Sequence, residues 1–169
     1  MIKLIVNIDN KIIKNIFSGG EINAIHTQSL SSENIVFNES MGQRLYMLNL
    51  PEEIKQRVTD IAKIHSGIDS LVLDEASYCV YMSYFFDGKM TTPKLIPHID
   101  ENMGGKRITL DVQIVSNTTW PINVSDKEYT LQDNEAILFA GTDQIHGRPH
   151  KSFQYKEYLH MLFLHFSYT

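Results

Sequence analysis

Three side chains carry the chemistry this sequence suggests. His98 and Asp100 stand two apart in PKLIPHIDENMGG, and His146 follows 46 residues beyond Asp100 in GTDQIHGR. In an extended segment, residues i and i+2 point to the same side of the chain, so one imidazole and one carboxylate project together. His146 comes at the end of the apolar run EAILFA and its turn. A fold that brings those two chain segments side by side gathers two imidazoles and one carboxylate on one face of a metal. The opposite positions stay open, the arrangement that suits Fe(II) sites handling O₂.

The elements that must position these residues lie mostly after residue 68. LVLDEASYCVYMSYFF is rich in strand formers and long enough for a strand with a bend. RITLDVQIV alternates, with Ile108, Leu110, Val112 and Ile114 on one side and Arg107, Thr109, Asp111 and Gln113 on the other. This polar side either meets solvent or supplies hydrogen bonds inside a barrel. TWPINV, KEYTL, EAILFA and EYLHMLFLHF read as further strands, separated by the turn signals FDGK, ENMGGK, SDK, LQDNE and AGTD. Many short strands at even spacing predict a mainly β protein, a jelly roll or β-sandwich with a few flanking helices.

Residues 1–68 read as a mixed α/β support for the 69–169 core, within one domain spanning 1–169. IKLIVNI is a candidate strand, NKIIKNIF is ambiguous, and HTQSLSSENIVFNESMGQ reads as a loop with at most one short strand. The clearest helix follows Leu50. Pro51 suits its first turn, Glu52 and Glu53 its positive end, and Gly67 its stop. Ile54, Val58, Ile61, Ala62 and His65 fall on one face, a stripe expected to pack on a sheet.

Composition narrows the function. The 169 residues fit one domain. Fifteen Lys and Arg against 20 Asp and Glu give a net charge of −5, which argues against a phosphate-binding surface and hence against a nucleic-acid partner. Cys79 is the sole cysteine, so no intrachain disulfide or CxxC pair forms. The N-terminal apolar stretch is too short and interrupted for a signal peptide or membrane span, which predicts an intracellular, cytoplasmic protein. Seven histidines are present, five of them after position 97.

The order HID at 98–100, His146 in DQIHGR, and Lys156 ten residues later in KEYLHMLFLHF resembles the Fe(II)- and 2-oxoglutarate-dependent oxygenases. The layout is most similar to their prolyl-4-hydroxylase-like branch, over about residues 78 to 166. The resemblance implies a double-stranded β-helix, a jelly roll in which His98, Asp100 and His146 hold Fe(II). It implies 2-oxoglutarate as cosubstrate, O₂ as oxidant, and a dioxygenase that hydroxylates a protein side chain or small molecule. Family members that halogenate lack the carboxylate that Asp100 supplies here. A basic residue binds the distal carboxylate of the cosubstrate in this family, and Lys156 and Arg148 both stand as candidates. Tyr84 occupies a place comparable to a tyrosine that often reaches the cosubstrate. The sequence departs from the common Arg followed two residues later by Ser or Thr, reading Lys156, Glu157, Tyr158 instead.

Two other readings share parts of the pattern. One is a cupin-like metal enzyme that does not use 2-oxoglutarate, although the clustered histidines of a glycine-rich cupin strand are missing. The other is a non-catalytic β-sandwich serving as a binding or structural module. Outside the triad, His150 is expected in an exposed loop and His65 at a helix end. His160 and His165 are expected on opposite faces of the last strand, one of them facing the pocket. Trp120 is expected to pack between sheets, and residues 86–97 and 101–106 to select the substrate.

Overall fold

A computed structural model describes residues 8–33, 35–101 and 105–168. Most of the candidate strand IKLIVNI and the centre of the ENMGGK turn lie outside these residues. The chain order is β1 (Ile12–Lys14), α1 (Gly19–Ser31), β2 (Ile35–Asn38), β3 (Gln43–Met47), α2 (Glu52–Ser66), β4 (Val72–Met82), β5 (Tyr84–Phe86) and β6 (Lys89–Thr91). It continues through β7 (Lys106–Ser116), β8 (Ile122–Val124), β9 (Lys127–Tyr129), β10 (Glu135–Phe139), β11 (His146–Gly147) and β12 (Tyr158–Tyr168).

Seven strands form one antiparallel sheet in the order β1-β10-β7-β12-β4-β3-β2. A smaller sheet, β11-β8-β9, faces it, and β5 and β6 form a separate hairpin. Alternation along the long strands produces two cores. Leu110, Val112, Leu162, Leu164 and Phe166 point outward from the large sheet to meet Ile25 of α1 and Ile54, Val58 and Ala62 of α2. Tyr81, Phe139, Leu159 and Met161 point inward and pack with Trp120, Ile122 and Val124 of the smaller sheet. Each apolar side chain withdrawn from water contributes about 1.5–3 kcal/mol, so both faces of the large sheet are fixed in register. This is the jelly-roll, double-stranded β-helix architecture.

α2 follows its sequence signals. Pro51 is the N-cap, Ile54, Val58 and Ala62 are buried, and Gly67 ends the helix in the left-handed region at φ 72° with its N–H on Lys63 O. α1 corrects the loop reading of residues 26–31. It is started by a capping box in which Glu21 N–H donates to Ser18 Oγ and Ser18 N–H donates to the Glu21 carboxylate. Gly19, Gly20 and the polar run HTQS conceal this helix from a periodicity reading. The bend expected in LVLDEASYCVYMSYFF is a break at Ser83, whose hydroxyl donates to Phe153 O at 2.9 Å. FDGK closes the β5–β6 hairpin with Asp87 and Gly88 both at positive φ, as a two-residue turn between twisted strands requires. The described residues contain no helix long and apolar enough to cross a membrane.

Candidate metal centre

The segment carrying His98 and Asp100 runs antiparallel to the segment carrying His146. His98 N–H donates to His146 O at 2.9 Å, and His146 N–H returns the bond to His98 O at 2.8 Å. Two residues on, Asp100 N–H donates to Gly141 O at 2.9 Å. These backbone bonds clamp the three side chains together. Nitrogen and oxygen atoms of His98, Asp100 and His146 lie within 4.8 Å of one another, and the two imidazole centroids are 4.3 Å apart. Asp100 Oδ1 lies 3.3 Å from His146 Nε2 and 4.0 Å from His98 Nε2.

Both imidazoles are oriented by the same device. His98 Nδ1 meets Ile96 O at 2.8 Å, and His146 Nδ1 meets Gln144 O at 3.0 Å. A carbonyl only accepts, so each Nδ1 carries the proton and each Nε2 is left to face Asp100. The carboxylate is held from its other side. Thr109 Oγ1 donates to Asp100 Oδ2 at 2.6 Å. Gly141 must be glycine for this packing, because a Cβ there would stand 1.9 Å from Asp100 Oδ2 and 2.3 Å from Thr109 Oγ1.

The electrostatics favour a cation. Burial pushes the Asp100 pKa up, but the hydrogen bonds from His146 and Thr109 and the nearby His165 hold it well below the usual carboxylate range. Burial likewise lowers His146, yet the bond and charge of Asp100 and the Gln144 carbonyl raise it above an ordinary histidine. A site that favours a proton between Nε2 and Oδ1 also favours a metal ion there. The donor set, two imidazoles whose Nδ1 atoms are tied to carbonyls and one carboxylate, therefore fits Fe(II) with positions left open.

A cavity of about 220 Å³ opens beside the triad into the barrel. Thr109 and Asp111 of β7 line it. Thr109, Asp111 and Gln113 are buried, so this stripe serves the interior and does not meet solvent. His165 of β12 also faces the cavity, with Nε2 3.9 Å from Asp100 Oδ2 and Nδ1 3.3 Å from Glu75 Oε1. His160 faces the opposite way, where Tyr78 Oη meets its Nδ1 at 2.9 Å and His26 Nδ1 at 3.3 Å.

The other predicted residues are dispersed. Lys156 sits in an exposed turn at φ 68°, its Nζ 5.5 Å from the Tyr155 ring centre. Tyr84 is half-buried on β5, donates to Glu39 O at 3.4 Å and packs edge-on to Phe37. Neither lines the cavity. Arg148 is fully enclosed. It bonds Trp120 O, lies 5.3 Å from the Trp120 ring centre, and brings Nη2 within 3.6 Å of Met161 Sδ. Its Nε has no hydrogen-bond partner. Among the described residues no other lysine or arginine is buried. Trp120 packs between Tyr81 and Phe153, as expected of an inter-sheet residue, and His150 is exposed.

Sequence reasoning missed several cavity residues. Gln43 Nε2 donates to Tyr81 Oη at 2.6 Å in the interior, and Glu75 reaches the cavity from β4. Strand alternation could have placed Tyr81 inward with Cys79, but nothing local marks Gln43.

No family model matches the sequence, and no curated protein does. Solved structures do. The viral collagen prolyl hydroxylase vCPH from Paramecium Bursaria Chlorella virus-1, in its 2OG complex, superposes with a TM-score of 0.65 at 10% identity. The match covers 95% of this chain and 96% of that one. The non-heme alpha ketoglutarate dependent epimerase SnoN from nogalamycin biosynthesis gives a TM-score of 0.72 at 12% identity over 95% and 78% of the two chains. EctD from S. alaskensis, with bound Fe, gives 0.67 at 13% over 95% and 73%. At these identities the likeness is one of fold: this chain has the double-stranded β-helix of the 2OG-Fe(II) oxygenases, and His98, Asp100 and His146 gather at one end of its barrel.

Proposed function

We propose that this protein is an Fe(II)- and 2-oxoglutarate-dependent oxygenase that hydroxylates a small molecule or a protein side chain. One observation carries the reading: two imidazole Nε2 atoms and one carboxylate oxygen converge at the mouth of a double-stranded β-helix, with both Nδ1 atoms tied to carbonyls. The solved structures that share the fold include enzymes described with iron and 2OG, which supports the same choice of cofactors.

In this reading His98, Asp100 and His146 hold the iron, which supplies O₂ activation coupled to decarboxylation of 2-oxoglutarate. Thr109 fixes the Asp100 carboxylate, and the carbonyls of Ile96 and Gln144 fix the rings. Arg148 does not line the cavity, but it is the one buried cation among the described residues and its Nε is unpartnered, so its charge attracts the distal carboxylate of the cosubstrate. Lys156, exposed in its turn, is not assigned that role. Phe139, its ring tilted against that of His146 with centres 4.6 Å apart, excludes water from the inner side of the site. A carboxylate at position 100 occupies the place a halide would need, which favours hydroxylation over halogenation.

Turnover tests this. The purified protein with Fe(II), O₂ and 2-oxoglutarate is expected to form succinate slowly even without its substrate. D100A is expected to form none. Equal succinate formation by D100A and wild type would remove the metal assignment.

A further inference from the structure

Asp111 sits in the middle of the barrel and the hydroxylase reading gives it no task. It is only 4% exposed, yet among the described residues it makes no hydrogen bond and no ion pair within 4.0 Å. It lines the cavity on the same strand face as Thr109, which holds Asp100. A buried carboxyl without a protein partner is costly unless something else satisfies it.

The charges around it sharpen the question. The approach segment contributes His98 and Asp100, β11 and the residue after it His146 and Arg148, and β12 His165. From β4 come Glu75, Cys79 and Tyr81, while β10 presents apolar Ile137 and Phe139. Asp100, Glu75 and Asp111 all line the cavity, and no lysine or arginine does. A dicarboxylate held at the triad in this cavity shares it with Asp111, in a space where like charges are poorly screened.

We propose that Asp111 is a binding residue for the cosubstrate, contributing its carboxyl as a neutral hydrogen-bond donor, so that 2-oxoglutarate enters the barrel together with one proton. A carboxyl that donates to a carboxylate satisfies both groups and removes the repulsion, as when two carboxyls share one proton. Burial, reinforced by Asp100 and opposed by His146, His165 and Arg148, already raises Asp111 to about 6. A dianion arriving beside it raises it further. The proton comes from solvent and returns there when the ligand leaves.

This inference rests on the cosubstrate reading, and one experiment separates the two. The Fe(II)-loaded protein is titrated anaerobically with 2-oxoglutarate by calorimetry, in buffers of differing ionisation enthalpy, between about pH 6 and 8.5. The wild type is expected to take up close to one proton near pH 7.5, with Kd rising roughly tenfold per pH unit above the free-state pKa. D111N is expected to take up none, to bind with a nearly flat pH profile, and to bind more tightly than wild type near pH 8.5. Binding by wild type without proton uptake overturns the inference and leaves the cosubstrate reading standing; that count needs no variant. The same proton uptake in D111N also overturns it, because the proton then goes elsewhere. Iron-loaded wild type that binds no 2-oxoglutarate at any pH overturns both.

Discussion

Replacing Gly141 with alanine should damage the metal centre without touching any ligand. A Cβ at 141 would lie 1.9 Å from Asp100 Oδ2 and 2.3 Å from Thr109 Oγ1, both inside the 3.0 Å that real Cβ atoms essentially never breach. The Asp100 oxygen must therefore retreat by about 1 Å. Metal–ligand distances tolerate only about ±0.2 Å, so such a retreat takes the carboxylate out of coordinating position. It also breaks the 2.6 Å bond from Thr109, a hydrogen bond to a charged group worth about 1.5–3 kcal/mol. The loss corresponds to metal affinity weaker by roughly 100-fold, since each 1.4 kcal/mol is tenfold. T109V removes the hydrogen bond but leaves the space, and should cost roughly tenfold, the lower end for a group that supports a ligand. Competition against a chromophoric chelator reads both constants. The melting curve of the metal-free protein separates metal loss from the ~1–3 kcal/mol that overpacking itself costs. Metal affinity of G141A within twofold of wild type would refute the reasoning, because the site would then tolerate a displacement the packing forbids.

Other consequences follow from the same geometry. R148Q should raise the 2-oxoglutarate Kd at least ~10-fold, whereas K156A should change it less than ~2-fold, both read by titration of the metal-loaded protein. Y81F should leave the buried Gln43 amide without its 2.6 Å partner and cost about 1–3 kcal/mol of stability by denaturant unfolding, with unchanged far-ultraviolet dichroism. Burial, with a smaller contribution from His26, lowers His160 to about 4. The unfolded chain then binds the proton first, so stability falls as pH drops from about 6.5 to 4, on the order of 2 kcal/mol after discounting for partial exposure. H160Q should flatten that part of the stability profile.

Local patterns were readable where local physics decides. Pro51, the acidic first turn and Gly67 bounded α2 within the sequence, and the strict alternation of RITLDVQIV gave β7 and both its faces. His98 and Asp100 sit on one side because extended backbone puts i and i+2 there. What the sequence could not yield depends on distant partners. The polar side of β7 looks identical whether it meets solvent or a barrel; only the closed barrel, with strands from distant parts of the chain around the cavity, buries Asp111. Lys156 lies ten residues past His146, but residues 148–157 make an excursion pinned by Thr92, which donates to Lys151 O and accepts from Phe153 N–H. That excursion leaves the lysine on the outside and Arg148 within. Glu75 and His165 meet only because β4 and β12 pair in register. α1 carried its signal in Ser18 and Glu21, a capping box at the right spacing.

The most direct test of the account is an anaerobic titration of the metal-free protein with Fe(II) and then 2-oxoglutarate, following visible absorption. The account predicts a weak charge-transfer band that appears only when both are present and is lost in H98A. Iron binding without that band would contradict the cosubstrate assignment, and no iron binding at all would contradict the metal centre built from His98, Asp100 and His146.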